Sequence, residues 1–202
     1  PHPWNHQFKG MAAGESLKLD LQRMNTAYMQ GNRRELEISK TLSLRTLLDK
    51  EWTTLRDQMI NQGTIDFELS KALYEADYPG HYLRRIKSVS VSLPATLGPY
   101  QDIRATLSQT RNQIQRSPNS GDVLDDLRVN EQVALSTGLN DSGLFTLNFD
   151  TDERYLPFEY TGAVSRWRLA FPNPAAQSAM LNSLSDIIVH VRYTARSAGG
   201  QG

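Results

Sequence analysis

Cysteine is absent from the 202 residues, which removes disulfides, thiolate metal sites and a cysteine nucleophile together. Net charge is absent as well. The 22 Lys+Arg balance the 22 Asp+Glu, so no global basic field gathers nucleic acid or an anionic membrane. No apolar run approaches the ~20 residues that span a bilayer. A Gly-x-Ser-x-Gly elbow and a glycine-rich phosphate loop are both missing. The chain opens on Pro1-His2-Pro3 without the basic start and apolar core of a signal peptide, and it reads as a piece of something longer. Its length suits one large domain, or one domain plus an appendage, with a full hydrophobic core.

The groups that usually carry chemistry are scattered. His2 and His6 have the four-residue spacing of a helical ligand pair, but their proline neighbours argue against helix. His81 follows a turn, and His190 lies on the polar side of a strand. Metal-ligand motifs come clustered, and these do not. Asp122, Asp125 and Asp126 lack the acidic alternation and closing glutamate of an EF-hand loop. Asp150, Asp152 and Glu153 alternate after a strand and read as a solvated hairpin tip. A glycosidase needs two facing carboxylates, one held protonated in apolar surroundings, and no acid here has that setting. The expectation is a chain with no catalytic residues, no metal and no cofactor.

Periodicity divides the chain. Residues 1–34 form a lead-in and a helix, 35–77 a mixed connector, 78–196 a β domain, and 197–202 a tail. From Glu15 to Gln30, Leu17, Leu21, Met24 and Tyr28 fall at i, i+4, i+7 and i+11, one apolar stripe of an amphipathic helix that needs a packing partner. Glu35–Leu44 alternates like a half-buried strand, with helix as the open alternative. Arg45–Asn61 returns to helical spacing through Leu48, Trp52, Leu55 and Met59, ending at Gly63. Thr64–Leu69 is a short strand, and Ser70–Ala76 adds a helical turn.

Beyond Tyr78 the pattern is all-β. Val89, Val91 and Leu93 alternate with serines, Ile103, Ala105 and Leu107 repeat the alternation, and Pro94 stops the first of these strands. Ser117–Asp126 reads as a polar, mobile loop. Asn140–Gly143 is a turn between strands Gln132–Ser136 and Leu144–Phe149. Strands around Trp167 and Val191 complete the set. The fold class is therefore mainly β with N-terminal helices, an antiparallel sandwich or jelly roll preceded by an amphipathic helix.

Two groups of residues suit a protein interface. Arg84, Arg85 and Lys87 are the densest basic group, and either meet an acidic partner or pair within the chain with Glu75 and Asp77. Arg154, Tyr155, Phe158 and Tyr160 gather aromatic rings beside an arginine, with Asp141 in the turn before them. Such rings are interface anchors if exposed and ordinary core if buried. An exposed set would equally suit a carbohydrate- or receptor-binding platform.

Five stretches resemble, in sequence and in order, the C-terminal region of the A subunit of Tc (toxin complex) insecticidal toxins. They are GESLKLDLQRMNTAYMQGNRRELEISKTLSL (Gly14–Leu44), YPGHYLRRIKSVSVSLPATLGPYQDIRATL (Tyr78–Leu107), GLNDSGLFTLNF (Gly138–Phe149), DERYLPFEYTGAVSRWRLAFP (Asp152–Pro172) and SDIIVHVRYTAR (Ser185–Arg196). The resemblance implies a non-enzymatic B-subunit-binding domain in a homopentameric, pore-forming subunit that translocates a toxin. Its partners would be the B subunit, which carries the C subunit in a cocoon, and neighbouring A-subunit protomers. The helix Glu15–Gln30 would end a channel-forming helix. The complex would be secreted or held at the bacterial surface, and the full-length subunit would insert into a host membrane. Arg45–Ser70 and Gln113–Asn130 match no family motif, and partner selectivity is expected there.

Overall fold

The computed structural model describes residues 17–23, 35–95, 103–136, 144–149 and 157–199. It divides into two units, residues 1–35 and 36–202. In the first unit, residues 17–23 are helical (α1). Leu17, Leu19 and Leu21 are exposed there, so two members of the expected stripe leave apolar surface uncovered. Met24 and Tyr28 lie outside the described residues.

The second unit is built on two antiparallel sheets. The elements run β1 (Leu36–Ser43), α2 (Leu44–Leu48), a 3₁₀ turn (Asp49–Glu51), α3 (Trp52–Gln62), β2 (Thr64–Leu69), α4 (Lys71–Asp77), β3 (Tyr82–Pro94), β4 (Ile103–Gln115), β5 (Val123–Asp126), β6 (Asn130–Ser136), β7 (Leu144–Asn148), β8 (Val164–Ala170), α5 (Ser178–Ser183) and β9 (Ile188–Arg196). One sheet has the order β1-β9-β3-β7. The other has the order β2-β8-β4-β5, with β6 also on β4. Strand β4 is long enough to hold both on one flank, β6 along Ile103–Gln109 and β5 along Asn112–Gln115.

The alternation of each strand decides which residues enter the core. Ile65, Phe67 and Leu69 of β2, Val89, Val91 and Leu93 of β3, Trp167 and Leu169 of β8, and Val189, Val191 and Tyr193 of β9 belong to one buried cluster. Burying each large side chain contributes about 1.5–3 kcal/mol before chain entropy is set against it. Phe67 and Trp167 face each other across β2 and β8 and stack at 6.5 Å, while Phe158 meets Trp167 edge-on at 4.9 Å. His190 bridges three strands by hydrogen bonding Thr41 at 3.1 Å and Ser92 at 3.0 Å.

Four expectations change. The single helix over Arg45–Asn61 is broken, because Asp49 takes φ 42°, ψ −106° and interrupts the ladder between α2 and α3. Ser70–Ala76 is a seven-residue helix rather than one turn. The region after Tyr78 is not all-β. The short helix α5 forms where Met180 and Leu181 enter the core, and the Arg56 guanidinium donates to the carbonyls of Asn182 and Leu184. The polar loop Ser117–Asp126 is largely a hairpin, since Val123–Asp126 pairs with β4. Its aspartates each accept from an arginine: Asp122 from Arg116, Asp125 from Arg111 and Asp126 from Arg128. The turn Asn140–Gly143 lies outside the described residues.

Candidate binding surface

The region around the start of β3 gathers most of the functional candidates. Pro79-Gly80, with Gly80 at φ 75°, supplies the two central residues of a tight turn that needs a positive φ. The turn joins α4 to β3. Glu75 on α4 clamps it by accepting from the Gly80 N–H at 2.8 Å and from Arg84 at 2.8 Å. The same guanidinium donates to the Tyr78 carbonyl at 3.1 Å and lies 5.9 Å from the centre of the Tyr74 ring. Tyr74 is fully buried, donates its hydroxyl to the Ala163 carbonyl at 2.9 Å, and meets Tyr193 edge-on. Burial pushes the Glu75 carboxyl up, but the bonds from Gly80 and Arg84 and the charges of Arg84 and Lys71 outweigh it, leaving it below its ordinary value. His81 stacks on Tyr78, and burial followed by the Arg84 charge pulls its pKa down.

Two register shifts in the pairing of β3 with β9 place these side chains. They fall between Tyr82 and Arg85 and between Ile86 and Ser88. Buried positions are even-numbered at Tyr82, Arg84 and Ile86 but odd-numbered at Val89, Val91 and Leu93. The extra residue at Lys87 resets the pleat. Arg84 consequently enters the interior at 4% exposure, whereas the valine alternation continued backwards would leave it outside. Beside this half of β3, residues 157–163 run as a backbone partner. The Tyr160 N–H donates to the Ile86 carbonyl, the Ile86 N–H to Thr161, and the Ala163 N–H to Arg84.

A polar network fixes that segment to β4. Gln109 and Asn112 are buried. Gln109 donates to Thr161 at 2.9 Å, and the Gly162 N–H donates to Asn112 at 2.8 Å. Gly162 passes so close that a Cβ there would lie 2.1 Å from the Gln113 carbonyl oxygen. At the far end of β4, a cleft of about 150 Å³ opens between α4, β3 and the β5 hairpin. Lys71, Arg84, Gln113, Gln115, Ser120 and Val123 contribute to its lining. Val123 in that lining is 42% exposed, and further along the chain Leu124, Leu127 and Val129 are 49%, 69% and 57% exposed.

Residues 1–195 match the sequence family described as the Tc toxin complex TcA C-terminal TcB-binding domain. The chain belongs to this family. It is 44% identical over 207 residues to toxin subunit YenA2 of Yersinia entomophaga, covering 95% of this chain and 15% of that protein. Among solved structures it resembles Yersinia pseudotuberculosis TcaA-TcaB (29% identity, TM-score 0.52, 92% of this chain and 11% of that one). It also resembles Morganella morganii TcdA4 (33% identity, TM-score 0.53, 90% and 8%). The chain thus spans a small part of each relative's length.

Within this TcB-binding domain the residues singled out from sequence separate sharply. Arg84 is internal and paired with Glu75. Lys87 is exposed and shares Glu37 with Arg192. The bonds from Lys87 and Arg192 hold the Glu37 carboxyl below its ordinary value. Phe158 is fully buried, so it joins no exposed aromatic platform, while Tyr160 is 65% exposed. The structure brings Arg85 and Tyr160 together, the guanidinium 5.5 Å from the ring centre. Asp141, Arg154 and Tyr155 lie outside the described residues. Sequence reasoning missed the exposed apolar hairpin. Its signal was Val123-Leu124 and Leu127-x-Val129 among paired charges, which read as polar overall. Among the described residues, no three His, Asp or Glu side chains converge as metal ligands, and no helix is long and apolar enough to cross a membrane.

Proposed function

We propose that this chain is the non-enzymatic module through which a Tc toxin A subunit holds its B subunit. The family match over residues 1–195 carries the reading. The build of the second unit suits it. One core and a polar network make a stiff scaffold, and the exposed side chains at its edges are the kind that bind protein: Tyr160, backed by the half-buried Arg85, and the Val123, Leu124, Leu127 and Val129 run. In a full-length subunit five copies around one axis would present five such surfaces to one B subunit carrying its C subunit in a cocoon. Five modest sites would then sum to a tight one. The exposed leucines of α1 would pack against neighbouring protomers where the channel helices end. The complex would act outside the bacterium, and membrane insertion would belong to other parts of the subunit.

The test compares a full-length A subunit with one lacking residues 36–196, each mixed with its B–C complex. Co-elution of the intact subunit and loss of it in the deletion supports docking here. Equal co-elution of both would refute it, and so would a glycan-array signal without any B-subunit binding.

A further inference from the structure

The cleft at the end of β4 has the features of a receptor for one acidic group. None of its lining residues is acidic. Lys71 stands at its rim, with one bond committed to the Gln115 side chain at 3.0 Å and two ammonium protons left to donate. Arg84 also lines it, and the Nε–H of that side chain is buried with no acceptor. The nearby carboxylates are engaged, Glu75 with Arg84 and Gly80 and Asp125 with Arg111. Two cations against Glu75 leave a local excess of one positive charge. Ser120 and Gln113 add polar contacts, though Gln113 is shared with Asp125.

Size and surroundings narrow the occupant. At about 150 Å³ the cleft is smaller than the ~300–1,000 Å³ usual for small-molecule sites, and matches a single side chain. Tyr82, Leu83, Val123 and Val164 give it apolar walls, and Val123 is also exposed to solvent, the arrangement of an anchor pocket within a protein interface rather than of a free-ion site. We infer that this cleft receives an aspartate or glutamate side chain of the bound protein partner, with Lys71 as its direct contact and the β5 hairpin packing around it. This rests on the docking reading above and names where one contact of that interface falls.

The experiment measures the affinity of the 202-residue chain for the B subunit in wild type, in Lys71→Ala and in Lys50→Ala, whose charge is exposed away from the cleft. In parallel, the ¹H–¹⁵N signal of the Arg84 Nε–H is followed while N-acetylglutamate, N-acetylglutamine or inorganic phosphate is added. Lys71→Ala should weaken binding about tenfold, the weight of one charge-assisted hydrogen bond, with Lys50→Ala unchanged. The Arg84 signal should move with N-acetylglutamate and stay with N-acetylglutamine. Unchanged affinity in Lys71→Ala overturns the inference, as does a signal that moves only with phosphate. If the isolated wild-type chain shows no binding, the comparison is made on the full-length subunit, and absence of binding there removes the docking function. The titration then decides the cleft alone: a shift specific to the carboxylate supports it, and no shift or an equal shift overturns it.

Discussion

Replacing Gly162 by alanine isolates a purely steric requirement. The added Cβ would lie 2.1, 2.5 and 2.7 Å from the O, C and N atoms of Gln113. All three are backbone atoms of the central strand β4, so no rotamer change relieves them. The φ of Gly162 lies outside the left-handed range, so the glycine is there for space and not for its angle. Overpacking of this kind costs about 1–3 kcal/mol. Separating the two chains also breaks the Gly162–Asn112 bond and strands a buried amide oxygen, a further ~1–3 kcal/mol. A loss of about 2–6 kcal/mol corresponds to a fall in Tm on the order of 10 °C for a domain of this size. Gly80→Ala is the counterpart. It has φ 75° with nothing within 4 Å, so only the backbone angle resists, at about 1–2 kcal/mol. Calorimetry of both variants tests the comparison. A Gly162→Ala protein less destabilised than Gly80→Ala would refute the close approach of residues 157–163 to β4.

Four further outcomes follow from other contacts. Glu75→Gln should lower stability by about 2 kcal/mol, because Arg84 keeps its buried charge and loses its partner, as denaturant unfolding will show. The Glu75 carboxyl, like those of Glu37, Asp66, Asp125 and Asp126, titrates below its ordinary value. These groups therefore stabilise the fold fully above their ordinary carboxylate range and lose that contribution as pH falls through the lowered folded values, down to about 2 for Asp126. The Tm should decline steadily below about pH 4.5, the ordinary value for Glu75, and the decline should flatten in the Glu75→Gln variant. Asp49→Gly should raise stability by about 0.5–1 kcal/mol, since φ 42° is costly for a residue with a Cβ. Tyr160→Ala should change the Tm by less than about 2 °C, given its 65% exposure. It should nevertheless weaken B-subunit binding if its ring and Arg85 are contacts.

Where period alone sets the outcome, the chain is transparent from its letters. The serine–valine run of β3 and the Ile65, Phe67, Leu69 face of β2 bury as their spacing requires. Placement fails where one residue resets the period. Nothing in Arg-Arg-Ile-Lys announces the shift at Lys87, so the inward turn of Arg84 is invisible without the β9 partner. Phe158 and Tyr160 are two residues apart and both aromatic, yet one is core and the other surface, because they lie in a turn where Tyr160 takes φ 63° and no strand alternation applies. Helix α5 carries no side-chain cap and is held by Arg56 from α3. Strand β5 and the residues after it hide the exposed Val123, Leu124, Leu127 and Val129 among arginine–aspartate pairs, which dominate the local composition but neutralise one another.

The pairing of β9 between β1 and β3 has a consequence for synthesis. Leu36 meets Ala195 and Ser43 meets Ile188, so the first strand of this unit waits for the last. A ribosome that has released everything up to α5 has made two flanks of a sheet with the middle missing. Such long-range pairing is slow and leaves strand edges bare meanwhile. The β1-β9-β3-β7 sheet is thus complete only once residue 196 has emerged. A chain stopped before β9 would leave β1 and β3 without the neighbour they share, and so leave the sheet open at its middle.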